Sequence, residues 1–211
     1  MSPIVPSVKP SKLPSSNSAN YAFAFPTCSI NNGKPVTYSA AGLCAAYAGI
    51  KAQFLTIVNN LKAQNTDASK KQLASIYGKA VRMVFHDAVD LDLTQSDLMG
   101  ADGCIGDAHG SAGLIEQTSP IFTVFESIYQ QFCDRINRAD FFVLMGKLVI
   151  ETAEPTNTIK LSFQYGRRET YDCSAGIGRD PNAQLGVHAI KQAFVVQMGL
   201  SYADAGMKSN R

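Results

Sequence analysis

The chain has 211 residues, 45% of them hydrophobic, and a formal net charge of +2. That is enough apolar material to bury one core or two small ones, and a near-neutral balance without a Lys/Arg stripe excludes a nucleic-acid-binding face. No apolar run reaches the roughly 18–20 residues of a membrane span, so neither nucleic acid nor membrane is expected as a partner.

Residues 1–20, rich in Pro, Ser and Lys, read as a disordered leader that lacks the hydrophobic segment of a signal peptide. The domain is expected over residues 21–211. Ser39 can N-cap a helix to about Gln64, with Leu43, Ala46, Ile50, Phe54, Ile57 and Leu61 near helical spacing. Asn65 to Ser69 is a polar break, and a second helix from about Lys70 to His86 turns Leu73, Ile76, Tyr77, Ala80, Val81 and Val84 inward. From Asp87 to Gly113 glycine and aspartate dominate, a long loop of the kind that holds a function or a ligand. A third helix is expected from Pro120 to Arg135. Asn137 caps a fourth, Ala139 to about Thr152, with Asp140 as its capping-box partner. That helix is apolar nearly all round and should be central. A fifth covers about Gln184 to Met198, and Ser201 with Asp204 makes one more capping signal. Strand patterns are nearly absent, so the fold class is all-α.

Cys28, Cys44, Cys104, Cys133 and Cys173 are scattered, with no CxxC pair to suggest zinc or redox chemistry. Such cysteines suit an oxidising compartment, and the odd count leaves one outside any internal pairing. Five buried free thiols are the plain alternative. An extracellular location is expected although no signal peptide is visible.

Arg82 and His86 stand four residues apart, one above the other on a helix. A fixed cation beside an imidazole suits the polarisation of a small oxygen-containing substrate. By itself the hexapeptide Arg82-Met83-Val84-Phe85-His86-Asp87 reads as a helix end with a surface arginine and a dipole-favoured histidine. Its surroundings add to it. Gly100-Ala101-Asp102-Gly103-Cys104-Ile105, Arg138-Ala139-Asp140, Gly166-Arg167-Arg168-Glu169, and Phe194 to Ser201 with Asp204 follow in order. Thr27-Cys28, Asn32-Gly33-Lys34 and Cys44 precede them. In this series the chain resembles the N-terminal half to two thirds of the plant, fungal and bacterial haem peroxidases. It is most like the secreted fungal members.

The resemblance implies the distal half of the haem peroxidase fold, haem b as cofactor, and hydrogen peroxide and a small reducing donor as partners. His86 would be the distal base and Arg82 the group that stabilises charge as the O–O bond breaks. Phe85 would shape the pocket, so Arg82, Phe85 and His86 would face the haem from its distal side. Asp87, the Gly100 carbonyl, Asp102 and position 104 would hold a structural calcium, but position 104 is Cys where relatives carry Ser, and calcium prefers oxygen. A calcium-free loop is the equal alternative.

Other departures narrow the subtype. Ala74 and Gly78 stand where manganese-oxidising relatives carry carboxylates, and the chain has no Trp. The Asn that orients the family's distal histidine has no clear counterpart, Gln117 and Ser119 being the nearest polar residues. The proximal histidine, eight residues after the family Asp, would fall at position 212. His109, in the loop, and His188, on the preceding helix, do not fit as replacements. The sequence therefore reads as a peroxidase domain truncated before its proximal haem ligand. Two other readings stay open: a non-catalytic peroxidase-like fragment, and a calcium-binding secreted helical domain.

Overall fold

The computed structural model describes residues 25–32, 34, 36–105, 114, 118–154, 156, 158–170, 173–176, 179–181 and 185–206. The expected leader at 1–20 lies outside them. Ser39 starts α1, Ala40–Gln64, by accepting the Gly42 N–H on its hydroxyl at 3.1 Å, and Asn65 ends it in the left-handed region at φ 48°. The helix turns Ala46, Ile50, Phe54, Val58 and Leu61 into the core. It is also long and apolar enough by composition to cross a membrane, which corrects the expectation of no span-length segment. Here that apolar stripe is buried against α2 and α3.

Helix α2, Asp67–Ala88, begins three residues before the expected Lys70. Thr66 and Ser69 form a reciprocal capping box, Ser69 N–H to Thr66 Oγ1 at 3.1 Å and Thr66 N–H to Ser69 Oγ at 3.0 Å. Serine at the third helical position takes the part that Glu or Gln usually plays, so the polar stretch is a helix start rather than a break. Ile76, Ala80 and Met83 are fully buried along one face of α2.

The third helix is interrupted. Ile121–Phe125 winds in wide π-type turns, Glu126–Tyr129 continues as α3, and turns follow to Ile136. The segment serves as an anchor for the N-terminal strap instead of completing a regular helix to Arg135. Cys133 is joined to Cys28, and the Gln130 side chain accepts from Ser29 N–H at 2.9 Å and donates to Thr27 O at 3.2 Å.

Asn137 Oδ1 accepts the Asp140 N–H at 2.8 Å and opens α4, Arg138–Ala153, within one residue of expectation at each end. Asp140 does not act as the reciprocal capping partner. Its carboxylate instead binds Tyr38 and the segment at Gly166–Arg167. Phe141, Phe142, Leu144, Met145 and Leu148 are buried, so α4 is central as its composition requires.

Helix α5, Gly186–Ile190, runs on in wide turns over Lys191–Gln197. Ser201 and Asp204 bond to each other, and the described residues that follow, 202–206, form a turn. No strand occurs among the described residues, as an all-α chain requires. The second disulfide joins Cys104 to Cys173, and the exposed Cys44 is the free cysteine that the odd count demands.

Helices α2 and α4 share the most extensive helix contact, and α2 carries Arg82 and His86. A Cβ at Gly146 of α4 would lie 2.6 Å from Val84 Cγ2 on α2, closer than atoms pack. Gly146→Val is therefore expected to destabilise the fold by about 1–3 kcal/mol, read as a lowered urea midpoint at unchanged slope. A midpoint equal to wild type would mean that α2 is free to slide on α4.

Candidate functional site

The last two turns of α2 present different chemistry on opposite sides. On one side Arg82 Nε donates to His86 Nε2 at 3.2 Å, the contact that i,i+4 spacing allows. The Phe85 ring stands edge-on to His86 with centroids 5.6 Å apart, and Phe194 lies beyond it at 6.1 Å. Phe85 remains 42% exposed. Because Arg82 supplies the proton in its bond to Nε2, a neutral His86 carries its own proton on Nδ1. That nitrogen is buried, and Asp180 Oδ2 lies 3.3 Å from it, at ion-pair distance but without hydrogen-bond alignment.

Beside this pair an apolar groove of about 800 Å³ runs between α2 and α4. Tyr77, Gly78, Val81, Arg82 and Phe85 form one bank, and Val149, Ile150, Ala153, Glu154 and Ile159 the other. Val81, Phe85 and Ile150 are all more than a third exposed, an unusual state for large apolar side chains that lie together. Gly78 has open space where a Cβ would stand. Arg82 stands on this wall, and His86 lies beside Arg82 outside the lining. The lining contains no histidine, thiolate or other strong iron ligand. The lining thus offers apolar contact to one face of a flat ligand and no axial ligand for a metal. His188 lies exposed on α5, and His109 is outside the described residues.

On the other side of α2, Asp87 is completely buried. Its Oδ1 accepts the N–H groups of Gly103 at 2.7 Å and Cys104 at 2.9 Å, while Oδ2 has no partner. Asp102 accepts Cys104 N–H at 3.1 Å on Oδ1, and its Oδ2 is likewise buried and unpartnered. Gly103 makes the turn possible: its φ is +86°, and a Cβ would meet Ala139 N at 3.1 Å. Asp90 accepts Gly100 N–H at 2.9 Å. Burial, reinforced by the Asp102 charge, holds the Asp87 carboxyl well above the usual range. Burial likewise pushes Asp90 up to about 7 and Asp102 up to about 6.

Two orphaned carboxylate oxygens in one loop suit a hard cation. Position 104 does not help as a side chain, since its sulfur is bonded to Cys173 and offers no oxygen. Among the described residues no three His, Cys, Asp or Glu side chains converge as a metal cage, so any further oxygens must come from backbone carbonyls and water. Gly100 contributes its N–H to Asp90 in this arrangement.

The structure thus places Arg82 and Phe85 on the groove wall, with His86 bonded to Arg82 outside the lining, and brings Asp87, Asp102 and position 104 together. Of the two polar residues expected near His86, Ser119 accepts the Ile121 N–H on its hydroxyl at 3.4 Å, and Gln117 lies outside the described residues. Sequence reasoning missed Asp180. It lies far along the chain from His86, and no periodicity links it to α2. No protein-family model matches the chain, and no curated protein matches it in a sequence search.

Proposed function

We propose that this chain carries the distal side of a haem peroxidase, an enzyme that reduces hydrogen peroxide and oxidises a small donor by single electrons. What carries the reading is the Arg82–His86 pair, set at the edge of an open apolar groove with a carboxylate behind the imidazole. Val81, Phe85, Val149 and Ile150 would hold haem b by apolar contact. When bound, the haem iron supplies the oxidising chemistry that no side chain can.

The chain's own residues would handle the peroxide. His86 Nε2 exchanges the Arg82 N–H for a peroxide O–H, takes that proton, and returns it to the departing oxygen. Arg82, released from Nε2, turns its permanent charge to the oxygen on which negative charge grows. Phe85 narrows the approach, so that a small peroxide reaches His86 and a bulky donor stays at the groove mouth. The two disulfides favour an oxidising, extracellular setting.

Haemin titrated into the full chain is expected to give a saturable Soret band at one haem per chain. Peroxide-driven oxidation of a phenolic donor should then fall about 10²–10⁴-fold in His86→Ala with haem uptake retained. Lack of saturable uptake, or a His86→Ala variant as active as wild type, overturns the reading.

The orphaned oxygens of Asp87 and Asp102 favour a second role, a structural calcium in the loop after α2. Asp87 and Asp102 would supply side-chain oxygens and the loop backbone, Gly100 included, the rest. The ion would fix the far end of α2 and with it the register of His86. A calcium-binding helical domain without turnover is the alternative that haem titration separates from the first reading.

A further inference from the structure

We infer that Asp180 is a positioning residue for His86, making an imidazole–carboxylate pair that keeps the basic lone pair on Nε2; the inference rests on the peroxide-handling role proposed for His86. The imidazole is bracketed from both sides. Arg82 donates to Nε2 at 3.2 Å, and Asp180 Oδ2 lies 3.3 Å from Nδ1. A buried Nδ1–H without an acceptor is costly, and Asp180 is the acidic group that stands against it. Its side chain is 22% exposed and that of His86 12%, so water screens the pair only in part.

The turn bearing Asp180 is held in place rather than adventitiously near. Cys173, at the start of the preceding turn, is bonded to Cys104 in the loop after α2. Gly176 packs so closely on Asp90 that a Cβ would stand 2.4 Å from its Oδ2. Arg179, the neighbour of Asp180, pairs with the Asp97 carboxylate and donates to the Asp97 carbonyl at 3.0 Å. Pro181 follows and restricts the backbone of Asp180 to extended conformations. These ties connect the turn to the same loop that receives Asp87, so both ends of the His86 environment are set by one cross-linked unit. A small rotation of the imidazole would align Nδ1–H with Oδ2.

The test reads the His86 ring by ¹⁵N NMR in the full, haem-free chain. Wild type is expected to show the proton on Nδ1, with an Nδ1–H resonance protected from exchange. Asp180→Ala should lose that protection and raise the share of the Nε2–H form about tenfold, the equivalent of one unpaired buried N–H. Asp180→Asn, which keeps an acceptor oxygen, should retain the Nδ1–H resonance. A wild-type ring protonated on Nε2, or an Asp180→Ala spectrum unchanged at His86, overturns the inference. Haem uptake by wild type is measured separately. An intact His86–Asp180 pair in a chain that takes up no haem would therefore sink the peroxidase reading and leave the positioning role standing.

Discussion

Asp140→Ala is expected to cost about 3–5 kcal/mol of folding stability, a large share of the roughly 5–15 kcal/mol typical of a domain. Asp140 is completely buried on the first turn of α4. Its Oδ2 accepts from Tyr38 Oη at 2.9 Å and Gly166 N–H at 2.8 Å, and its Oδ1 from Arg167 Nη1 at 2.9 Å. Those donors come from before α1 and after α4, so one carboxylate stitches two stretches of chain to the central helix. Removing it leaves the Tyr38 hydroxyl and the Gly166 N–H without acceptors. Arg167 loses less, because its side chain is 29% exposed and can rehydrate. Burial, and after it the Asp140 charge, already holds the Tyr38 hydroxyl far above its ordinary pKa. Urea unfolding followed by circular dichroism measures the loss. Asp140→Asn, which keeps one acceptor oxygen, should lose clearly less than Ala. A loss below about 1 kcal/mol for Ala would show that the two stretches are held to α4 by something else.

In chelator, the chain is expected to become less stable as pH rises from about 5 to 8, and excess calcium should reverse that trend. Burial raises the carboxyl groups of Asp87, Asp90 and Asp102 above the ordinary value near 4. A group whose folded pKa lies above its unfolded one binds its proton more tightly in the folded state. Its contribution is fully present below the unfolded pKa and is lost as pH climbs through the folded value. For Asp102 and Asp90 that loss centres on about 6 and about 7. A cation on the orphaned Asp87 and Asp102 oxygens replaces the protons, adding about 2.7 kcal/mol at a hundredfold excess over its Kd. Thermal melts at pH 5 and pH 8, with chelator and with calcium, read both effects. Asp102→Asn should flatten the pH trend and weaken the calcium response. A melting temperature that rises with pH in chelator would refute the linkage, and one indifferent to calcium at pH 8 would refute the ion site.

Local signals were legible where local physics decides. The apolar sweep of residues 141–150 behind Asn137 marks α4 nearly to the residue, because cap and core face agree. The start of α2 was obscured because Ser69 is an uncommon capping partner. The helix expected to run to Arg135 breaks up because Gln130 and Cys133 serve a strap a hundred residues earlier in the chain. At the site, Arg82 and His86 are visible through i,i+4 spacing alone. Asp180 is not, since only the tertiary path through Cys104–Cys173 and Arg179 brings it to the imidazole. The same disulfide removes the position 104 side chain from the calcium set, a fact that spacing cannot convey.

The order of the two cross-links along the chain has a consequence for damage. Cys104 lies inside the loop closed by Cys28–Cys133, and Cys133 lies inside the loop closed by Cys104–Cys173. The rings interlock. A protease that nicks the backbone once anywhere between Cys28 and Cys173 therefore releases no fragment. Even two nicks, one before Cys104 and one after Cys133, leave every piece tethered. The Asp87 loop and the turn bearing Asp180 stay on one covalent body, and wear in an extracellular setting would loosen the molecule long before it came apart.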